Sequence, residues 1–179
     1  MRRPQLFALL LAALAVGQVG CTGLGADRDA AEARPFDVER YFVGRLKAWG
    51  IVEPRFGGTV RQFTVDLDGR RDGEDIVLDE YFLFSDGERQ ERHWRVRRQA
   101  DGALRGEASD VPGGAIGRED GASFSWNYDL FLKIDGSTWR IAFKDWMFRI
   151  DDEVVLNRAF LSKWGVPVGE VTIAFRKLS

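Results

Sequence analysis

The stretch SFSWNYDLFLKI, residues 123–134, alternates large apolar side chains with polar ones along almost its whole length. Successive side chains of a β-strand point to opposite faces, so this period of two predicts a strand that buries one face. The predicted buried face carries Phe124, Trp126, Tyr128, Leu130, Leu132 and Ile134. So regular a pattern over so long a segment predicts that the surrounding chain is β-structure as well.

Shorter segments with the same period lie on both sides, separated by turn sequences such as Asp68-Gly69 and Asp101-Gly102. Asp-Gly pairs favour hairpin turns because glycine accepts a positive φ angle. The pattern also predicts one short helix over residues 36–42, and a loop or kinked strand in the glycine-rich segment 113–117. Further strands are predicted near residues 40–49, 59–68, 75–85, 90–99, 103–109, 138–149, 153–163 and 168–177.

Eight or nine sequential strands joined by short turns favour antiparallel pairing between neighbours. Such a sheet can hide its edges by closing into a barrel or by forming a sandwich. Of the two, we predict an all-β fold with a single antiparallel up-and-down barrel of the lipocalin or calycin type, over residues 36–179.

Residues 1–20 have the anatomy of an export signal. Arg2 and Arg3 precede an unbroken apolar run at 6–16, which is too short to span a bilayer comfortably. Cys21, the single cysteine of the chain, comes directly after small residues. We predict that 1–20 is a signal peptide and that Cys21 is lipidated. The alternative is a plain secretory signal with an incidental cysteine.

The neighbours of Cys21 bear on this prediction. Gly20 fits a lipoprotein cleavage motif, Gln18 stands where leucine is usual, and Thr22 resembles an outer-membrane sorting pattern. Residues 21–35 are small and charged without apolar periodicity, which predicts a flexible tether with an average span of roughly 20 Å. We expect a cell-envelope protein that acyl chains anchor to the outer membrane, facing the periplasm.

The composition excludes several classes of function. The formal net charge is −2, and loss of Arg2 and Arg3 with the signal peptide makes it −4, so no electrostatic grip on nucleic acid is expected. One cysteine and one histidine cannot build an internal disulfide, a cysteine-rich zinc site or a multi-histidine metal cage. The sequence contains no phosphate-binding glycine loop or nucleophile elbow, and we predict no metal and no cofactor.

Four charged residues interrupt the apolar faces of predicted strands. Glu80, Arg61 and Arg158 each share a face with large apolar side chains, and Asp145 ends the apolar face of strand 138–149. A buried charge without a partner costs several kcal/mol, so such groups pair with one another. We predict an interior polar cluster of Glu80, Asp145 and Arg158, with Arg61 as a candidate fourth member.

Two details of these strands belong to the prediction. In strand 153–163, the face shared with Arg158 consists of Val154, Leu156 and Phe160. In strand 138–149, the apolar positions change parity after Asp145. Such a change predicts a bulge near Lys144-Asp145 or a strand buried on both faces.

The predicted cluster has three interpretations. It is a structural ion pair, or a set of rim charges that reach water through their long stems. Alternatively, an arginine at the base of an apolar barrel holds the carboxylate or phosphate of a ligand through bidentate hydrogen bonds. In the third interpretation, Glu80 or Asp145 serves as a catalytic acid or base.

A basic segment surrounds the single histidine, His93. Alternation places His93 with Glu91 on a face opposite Trp94, so we predict that its side chain faces solvent. The run of Arg92, Arg95, Arg97 and Arg98 is predicted to form a charged outer face of the sheet. The alternative is a contact with anionic lipid head groups.

Four stretches, FVGRLKAWGIVEPRFG (42–57), LDEYFLFSDGE (78–88), DWMF (145–148) and LNRAFLSKWGVPVGEVTIAFRK (156–177), resemble an uncharacterised proteobacterial lipoprotein family, domain of unknown function 3833. The resemblance implies a lipid-anchored envelope protein without an assigned activity. One departure is Glu53-Pro54-Arg55, where an acid-bearing Asp-Arg-Phe-Gly run is more usual. The matched positions to test are Trp49, Asp79, Glu80, Asp145, Trp146, Asn157, Arg158 and Glu170.

The first predicted function is a membrane-anchored binding module that holds or transfers an apolar molecule such as an acyl chain. One alternative is an envelope scaffold or assembly protein that binds a partner through exposed aromatic side chains. The other is an enzyme that uses Glu80 or Asp145 on a lipid-like substrate. The oligomeric state stays open.

Overall fold

The computed structural model describes residues 35–134 and 136–178, which form a closed antiparallel barrel. Each strand pairs with the next along the chain, and the last pairs with the first. One short helix, α1 (Val38–Phe42), precedes the barrel. The strands are β1 (Gly44–Pro54), β2 (Arg61–Asp72), β3 (Asp75–Phe84), β4 (Arg89–Arg98), β5 (Leu104–Glu107), β6 (Ala115–Asp120), β7 (Ser123–Ile134), β8 (Ser137–Arg149), β9 (Val154–Lys163) and β10 (Val166–Lys177).

The predicted fold class is confirmed, with ten strands rather than eight or nine. The additional strand is β6, which includes most of the segment predicted as a loop or kinked strand. Gly117 occupies an inward position of this strand, where the pattern would predict an apolar side chain, and packing explains why. A Cβ atom there would overlap the carbonyl of Ser125 and the indole of Trp126, which lies against the backbone. The position therefore needs glycine within a regular strand.

The signal peptide, Cys21 and tether predicted at the amino terminus fall on residues 1–34, which lie outside the described residues. No helix within 35–134 or 136–178 is long and apolar enough to cross a membrane.

Helix α1 packs across one end of the barrel, which we call the closed end. Asp37 caps the helix, since its carboxylate accepts a hydrogen bond from the backbone N–H of Arg40. Phe36, Tyr41 and Phe42 are buried, and their rings meet edge to face. The Tyr41 hydroxyl donates to the carbonyl of Glu153 at 3.0 Å. The amino-terminal side of the chain thereby seals the barrel core.

Two predicted details of the strand faces are wrong. Strand β8 keeps one regular register with both neighbours, so no bulge occurs at Lys144-Asp145. Its buried face continues through Asp145 to Met147, and Trp146 and Phe148 lie outside. The described register shift lies in β10 between Pro167 and Gly169, where proline cannot donate to the ladder.

The face of β9 is the reverse of the prediction. Val155, Asn157, Ala159 and Leu161 point inward, and Leu156, Arg158 and Phe160 point outward. Both faces of this strand carry apolar residues, so alternation defines two faces but does not decide which one is buried. The barrel selects the face with the smaller residues Asn157 and Ala159.

Candidate functional site

A cavity of about 340 Å³ lies inside the barrel. This volume is within the range of roughly 300–1,000 Å³ that small-molecule sites occupy. Most of its lining is aromatic or aliphatic and comes from the inward faces of the strands, as with Phe63, Phe82, Trp94, Trp126, Phe143 and Leu161. The cavity is therefore shaped for a largely apolar molecule.

The cavity runs from the helix to the opposite end of the barrel. Val38 and Phe42 of α1 line it at the closed end. Arg61, Glu88 and Lys133 line it at the other end, which we call the open end. Glu88 and Lys133 are exposed, so this end of the cavity borders solvent.

Five polar side chains from five strands meet in the cavity wall: Glu80, Arg92, Tyr128, Asp145 and Asn157, here called the inner polar cluster. Arg92 Nη1 lies 3.7 Å from Glu80 Oε2. Two groups donate to Asp145 Oδ2: the Tyr128 hydroxyl at 3.5 Å and Asn157 Nδ2 at 3.3 Å. The cluster thus joins an ion pair to a hydrogen-bonded carboxyl group.

A third carboxylate also interacts with the arginine of the Arg92–Glu80 ion pair. Asp110, in the loop between β5 and β6, accepts from Arg92 Nε at 3.0 Å. The Arg92 and Glu80 side chains are only 12% and 14% exposed. Arg92 is therefore paired with two carboxylates, of which Glu80 is nearly buried and Asp110 is partly exposed.

Burial changes the acidity of this cluster. It raises the pKa of Asp145 to about 7, although the hydrogen bonds from Asn157 and Tyr128 oppose this effect. Burial also raises the pKa of Glu80, with the positive charge of Arg92 acting in the opposite direction. The pKa of Tyr128 is raised as well, first by burial and then by Asp145. The Asp145 carboxyl group therefore exchanges its proton near neutral pH.

The structure brings together two of the four residues of the predicted cluster, Glu80 and Asp145. Arg158 is not among them, because its strand presents the opposite face to the interior. It is 58% exposed and pairs on the outer surface with Glu170, at 2.6 Å between Nη2 and Oε2. Arg61 does line the cavity, but at the open end, where Asp86 and Glu88 pair with it.

Arg92 supplies the interior cation that Arg158 was predicted to supply. Its assignment to an outer basic face is wrong, since it shares the inward face of β4 with Trp94 and Val96. The signal was present in the sequence: Arg92 has the same parity as these two apolar residues. The basic composition of the segment concealed it.

The other three arginines of the predicted basic run are paired: Arg95 and Arg97 lie on the outer face of β4, whereas Arg98 has the inward parity and lies at the closed end. Arg95 and Arg97 both bind Asp75. Arg98 pairs with Glu39 and Glu119. Their charges are therefore largely engaged within the protein.

His93 is exposed, as alternation predicts, and its Nδ1 lies 2.7 Å from Asp79 Oδ1. This hydrogen bond, together with one from Arg70, lowers the pKa of Asp79. The pair lies on the outer surface, away from the inner polar cluster. Within the described residues, no group of three or more histidine, cysteine, aspartate or glutamate side chains could hold a metal ion.

The family-matched aromatic residues lie on the outer surface. Trp49 and Trp146 are 47% and 43% exposed. Strand register places Phe148 beside Leu156, Leu156 beside Ala174, and Ala174 beside Trp49, which forms an apolar row across β8, β9, β10 and β1. Of the matched positions, Asn157 lies inside the barrel with Glu80 and Asp145.

Comparison with known protein families identifies a family for this chain, but that family has no assigned activity. The family described as "Protein of unknown function (DUF3833)" matches residues 15–177. The chain belongs to the DUF3833 family. Its resemblance to that family is thereby confirmed, over the whole of the barrel and a short segment before it. No curated protein matches the sequence of this DUF3833 chain.

Among solved structures, the barrel is similar to an S-type phycobiliprotein lyase of Guillardia theta. The two share 11% sequence identity with a TM-score of 0.59, over 80% of this chain and 94% of that chain. At such low identity, the likeness shows a common fold and nothing about residues or activity.

Proposed function

We propose that this protein is a lipid-anchored binding module of the cell envelope, which holds an apolar ligand such as an acyl chain inside its barrel. The observation that carries the proposal is the cavity itself. It is enclosed by aromatic and aliphatic side chains, is open at one end, and has a small polar cluster in its wall. Burial of an alkyl chain there would contribute about 0.8 kcal/mol per methylene group.

The membrane anchor in this proposal rests on the sequence of residues 1–21, with Cys21 as the acylated residue. The outer membrane, facing the periplasm, is the proposed location. The described chain begins at the closed end, where Arg149 donates to the carbonyl of Pro35 at 3.0 Å and the Phe36 N–H donates to Gly121. An anchor that precedes Pro35 therefore joins the barrel at the closed end, opposite its opening.

Tryptophan fluorescence can test ligand binding directly. Trp94 and Trp126 line the cavity, whereas Trp49, Trp139, Trp146 and Trp164 are exposed. A bromine-labelled long-chain alcohol, which quenches tryptophan on contact, should quench part of the emission of the full-length protein in a saturable manner. Quenching that rises without saturation would contradict a defined site.

A cavity-filling variant provides the matched comparison. Ala159 is buried and lines the cavity, whereas Leu156 lies on the outer face of the same strand. We expect Ala159→Phe to weaken binding about tenfold or more, a loss of about 1.4 kcal/mol, and Leu156→Phe to leave it unchanged. Equal binding by both variants would place the alcohol outside the cavity.

The raised pKa of Asp145 favours a second candidate, an enzyme that uses this carboxyl group as acid or base on a lipid-like substrate. Lipids from the native membrane, incubated with the full-length protein, should then be converted to a new species that mass spectrometry detects. Asp145→Asn should abolish the conversion, and Asp129→Asn on the outer face should retain it. Conversion that survives Asp145→Asn would exclude this role.

A further inference from the structure

Two buried oxygen atoms in the inner polar cluster have no hydrogen-bond partner within the described residues: Asp145 Oδ1 and Asn157 Oδ1. The two residues are only 5% and 2% exposed, and both line the cavity. A buried acceptor without a donor costs about 1–3 kcal/mol. Such a cost is ordinarily relieved by a partner that occupies the adjacent space, and here that space is the ligand cavity.

The arrangement of donors explains why these two atoms remain available. Tyr128 and Asn157 both donate to Asp145 Oδ2, on one side of the carboxyl group. This leaves Asp145 Oδ1 without a donor. Asn157 uses its Nδ2 in the same interaction, which leaves its own carbonyl oxygen unused. The carbonyl oxygen of Asn157 is an acceptor, and Asp145 Oδ1 is an acceptor when the carboxyl group is ionised, so the partner that fits both is a donor.

The charges within and beside the inner polar cluster favour the same kind of partner. Glu80, Asp110 and Asp145 contribute three carboxyl groups, and Arg92 is the cation among them. Because Glu80 and Asp110 already offset the positive charge of Arg92, this arginine attracts the carboxylate of a fatty acid only weakly. An additional anion would instead be repelled by the surrounding carboxyl groups.

Aromatic side chains next to Asp145 add to this preference. Trp126 is its direct cross-strand neighbour on β7, and Tyr128 stacks on Phe143 with ring centres 5.2 Å apart. The faces of aromatic rings attract cations through their quadrupole. A positively charged head group would therefore meet both a carboxyl oxygen and aromatic rings.

We propose, on the basis of the binding role above, that the cavity is selective for long-chain molecules whose polar end donates hydrogen bonds. The preferred head group is an amine, followed by a hydroxyl. It binds Asp145 Oδ1 and Asn157 Oδ1, and a carboxylate is disfavoured. The alkyl chain lies along the apolar part of the cavity.

Three probes of equal chain length test this selectivity: dodecylamine, dodecanol and dodecanoate. Each is added at pH 7 to the full-length protein, in a fixed concentration of one non-ionic detergent, in competition with the bromine-labelled alcohol. We expect the amine to displace the labelled alcohol at a concentration about tenfold lower than dodecanoate, with dodecanol between them. A tenfold ratio corresponds to about 1.4 kcal/mol.

A double variant removes both acceptors without changing the size of the site much. Asp145→Leu with Asn157→Leu should still bind the labelled alcohol, but its preference for the amine should fall to within twofold. The matched control, Asn127→Leu with Asp129→Leu, removes an amide and a carboxylate from the outer face of β7 and should retain the full preference.

The outcomes separate the two proposals. Equal affinities, or tightest binding of dodecanoate by the wild type, would overturn the donor preference and leave the barrel as a binding module. A double variant that retains the preference for the amine would also overturn the assignment of that preference to Asp145 and Asn157. Failure of all three probes and of the labelled alcohol to bind would overturn the binding function and the selectivity with it. If a variant does not fold, the comparison of the three probes on the wild-type protein still tests the donor preference.

Discussion

Arg92 and Arg158 both pair with carboxylates, yet they differ in what surrounds them. Arg92 is buried in the cavity wall between Glu80 and Asp110, and Arg158 is exposed beside Glu170. Removing one member of a buried pair leaves an uncompensated charge, whereas an exposed pair contributes little. The position of the arginine, rather than the presence of its partner, decides how much it stabilises the fold.

A pair of methionine substitutions tests this difference. We expect Arg92→Met to lower the free energy of unfolding by roughly 3 kcal/mol, since Glu80 and Asp110 then face each other without a cation. Arg158→Met should lower it by less than about 1 kcal/mol. Urea denaturation of the full-length chain measures both values. Equal losses of unfolding free energy in the two variants would contradict the structure, in which Arg92 is buried and Arg158 is exposed.

Asp145 gives the protein a characteristic dependence on pH. Its pKa is about 7 in the folded protein, above the ordinary value of 3.8, because it is buried. Between these two values the folded state binds a proton that the unfolded state has released. The free energy of unfolding therefore decreases as pH rises from about 4 to about 7, by roughly 1.4 kcal/mol per pH unit from this group alone.

The Asp145→Asn variant should lose this contribution. The difference in unfolding free energy between variant and wild type should grow in favour of the variant by roughly 4 kcal/mol from pH 4 to pH 7. Denaturation midpoints at intervals across this range measure it, with Asp129→Asn on the outer face as the control. A constant difference would show that Asp145 titrates at its ordinary value.

Helix α1 depends on a close approach to strand β2. A Cβ atom at Gly69 would overlap the backbone carbonyl of Phe42, at the carboxyl end of the helix, and would also meet Leu78. A backbone carbonyl cannot move aside as the tip of a flexible side chain can. Glycine at this position is therefore what allows the helix to cover the closed end.

We expect Gly69→Ala to destabilise the protein by roughly 1–3 kcal/mol and to displace α1 from the barrel. The neighbouring Asp68→Ala, on the outer face of the same strand, should change stability by about 0.5 kcal/mol or less. Thermal denaturation measures stability, and amide exchange of residues 38–42 reports displacement of the helix. Unchanged exchange in Gly69→Ala would show that this contact does not hold the helix.

On the scale of the whole barrel, the pairing between strands is uneven. β5 and β6 pair over three residues, whereas β7 and β8 pair over twelve. Since a closed barrel has no free edge, its stability depends on every seam, and the shortest seam is the easiest to open. The β5–β6 seam also borders the loop that holds Asp110 beside Arg92.

Hydrogen exchange followed by mass spectrometry should locate this seam. We expect the amides of 104–107 and 115–120 to exchange roughly tenfold faster or more than those of 123–134, because they open without global unfolding. A ligand that contacts the inner polar cluster should slow exchange throughout the barrel. Uniform protection in the free protein would indicate that the barrel opens only as a unit.

The sequence by itself determined the β-class, the up-and-down barrel and most of the strand boundaries. These follow from the period of two and from the turn glycines, which act within a few residues. It also placed Glu80 on an inward face, because Ile76, Leu78, Phe82 and Phe84 form an apolar row around it on that face, whereas Asp79 interrupts the other. The regular strand at 115–120 was not predicted, because Gly117 breaks the local pattern. Glycine is needed there to make room for the ring of Trp126, which lies on the neighbouring strand.

The tertiary structure alone decided which face of a two-sided strand is buried. In β9 and β8 both faces carry apolar residues, so only barrel closure could place Asn157 and Asp145 inside and Arg158 and Trp146 outside. The partners of the inner polar cluster come from five strands that are far apart in the chain. Their meeting, and the two acceptors it leaves unpaired, depend on register and cavity shape, which local sequence does not encode.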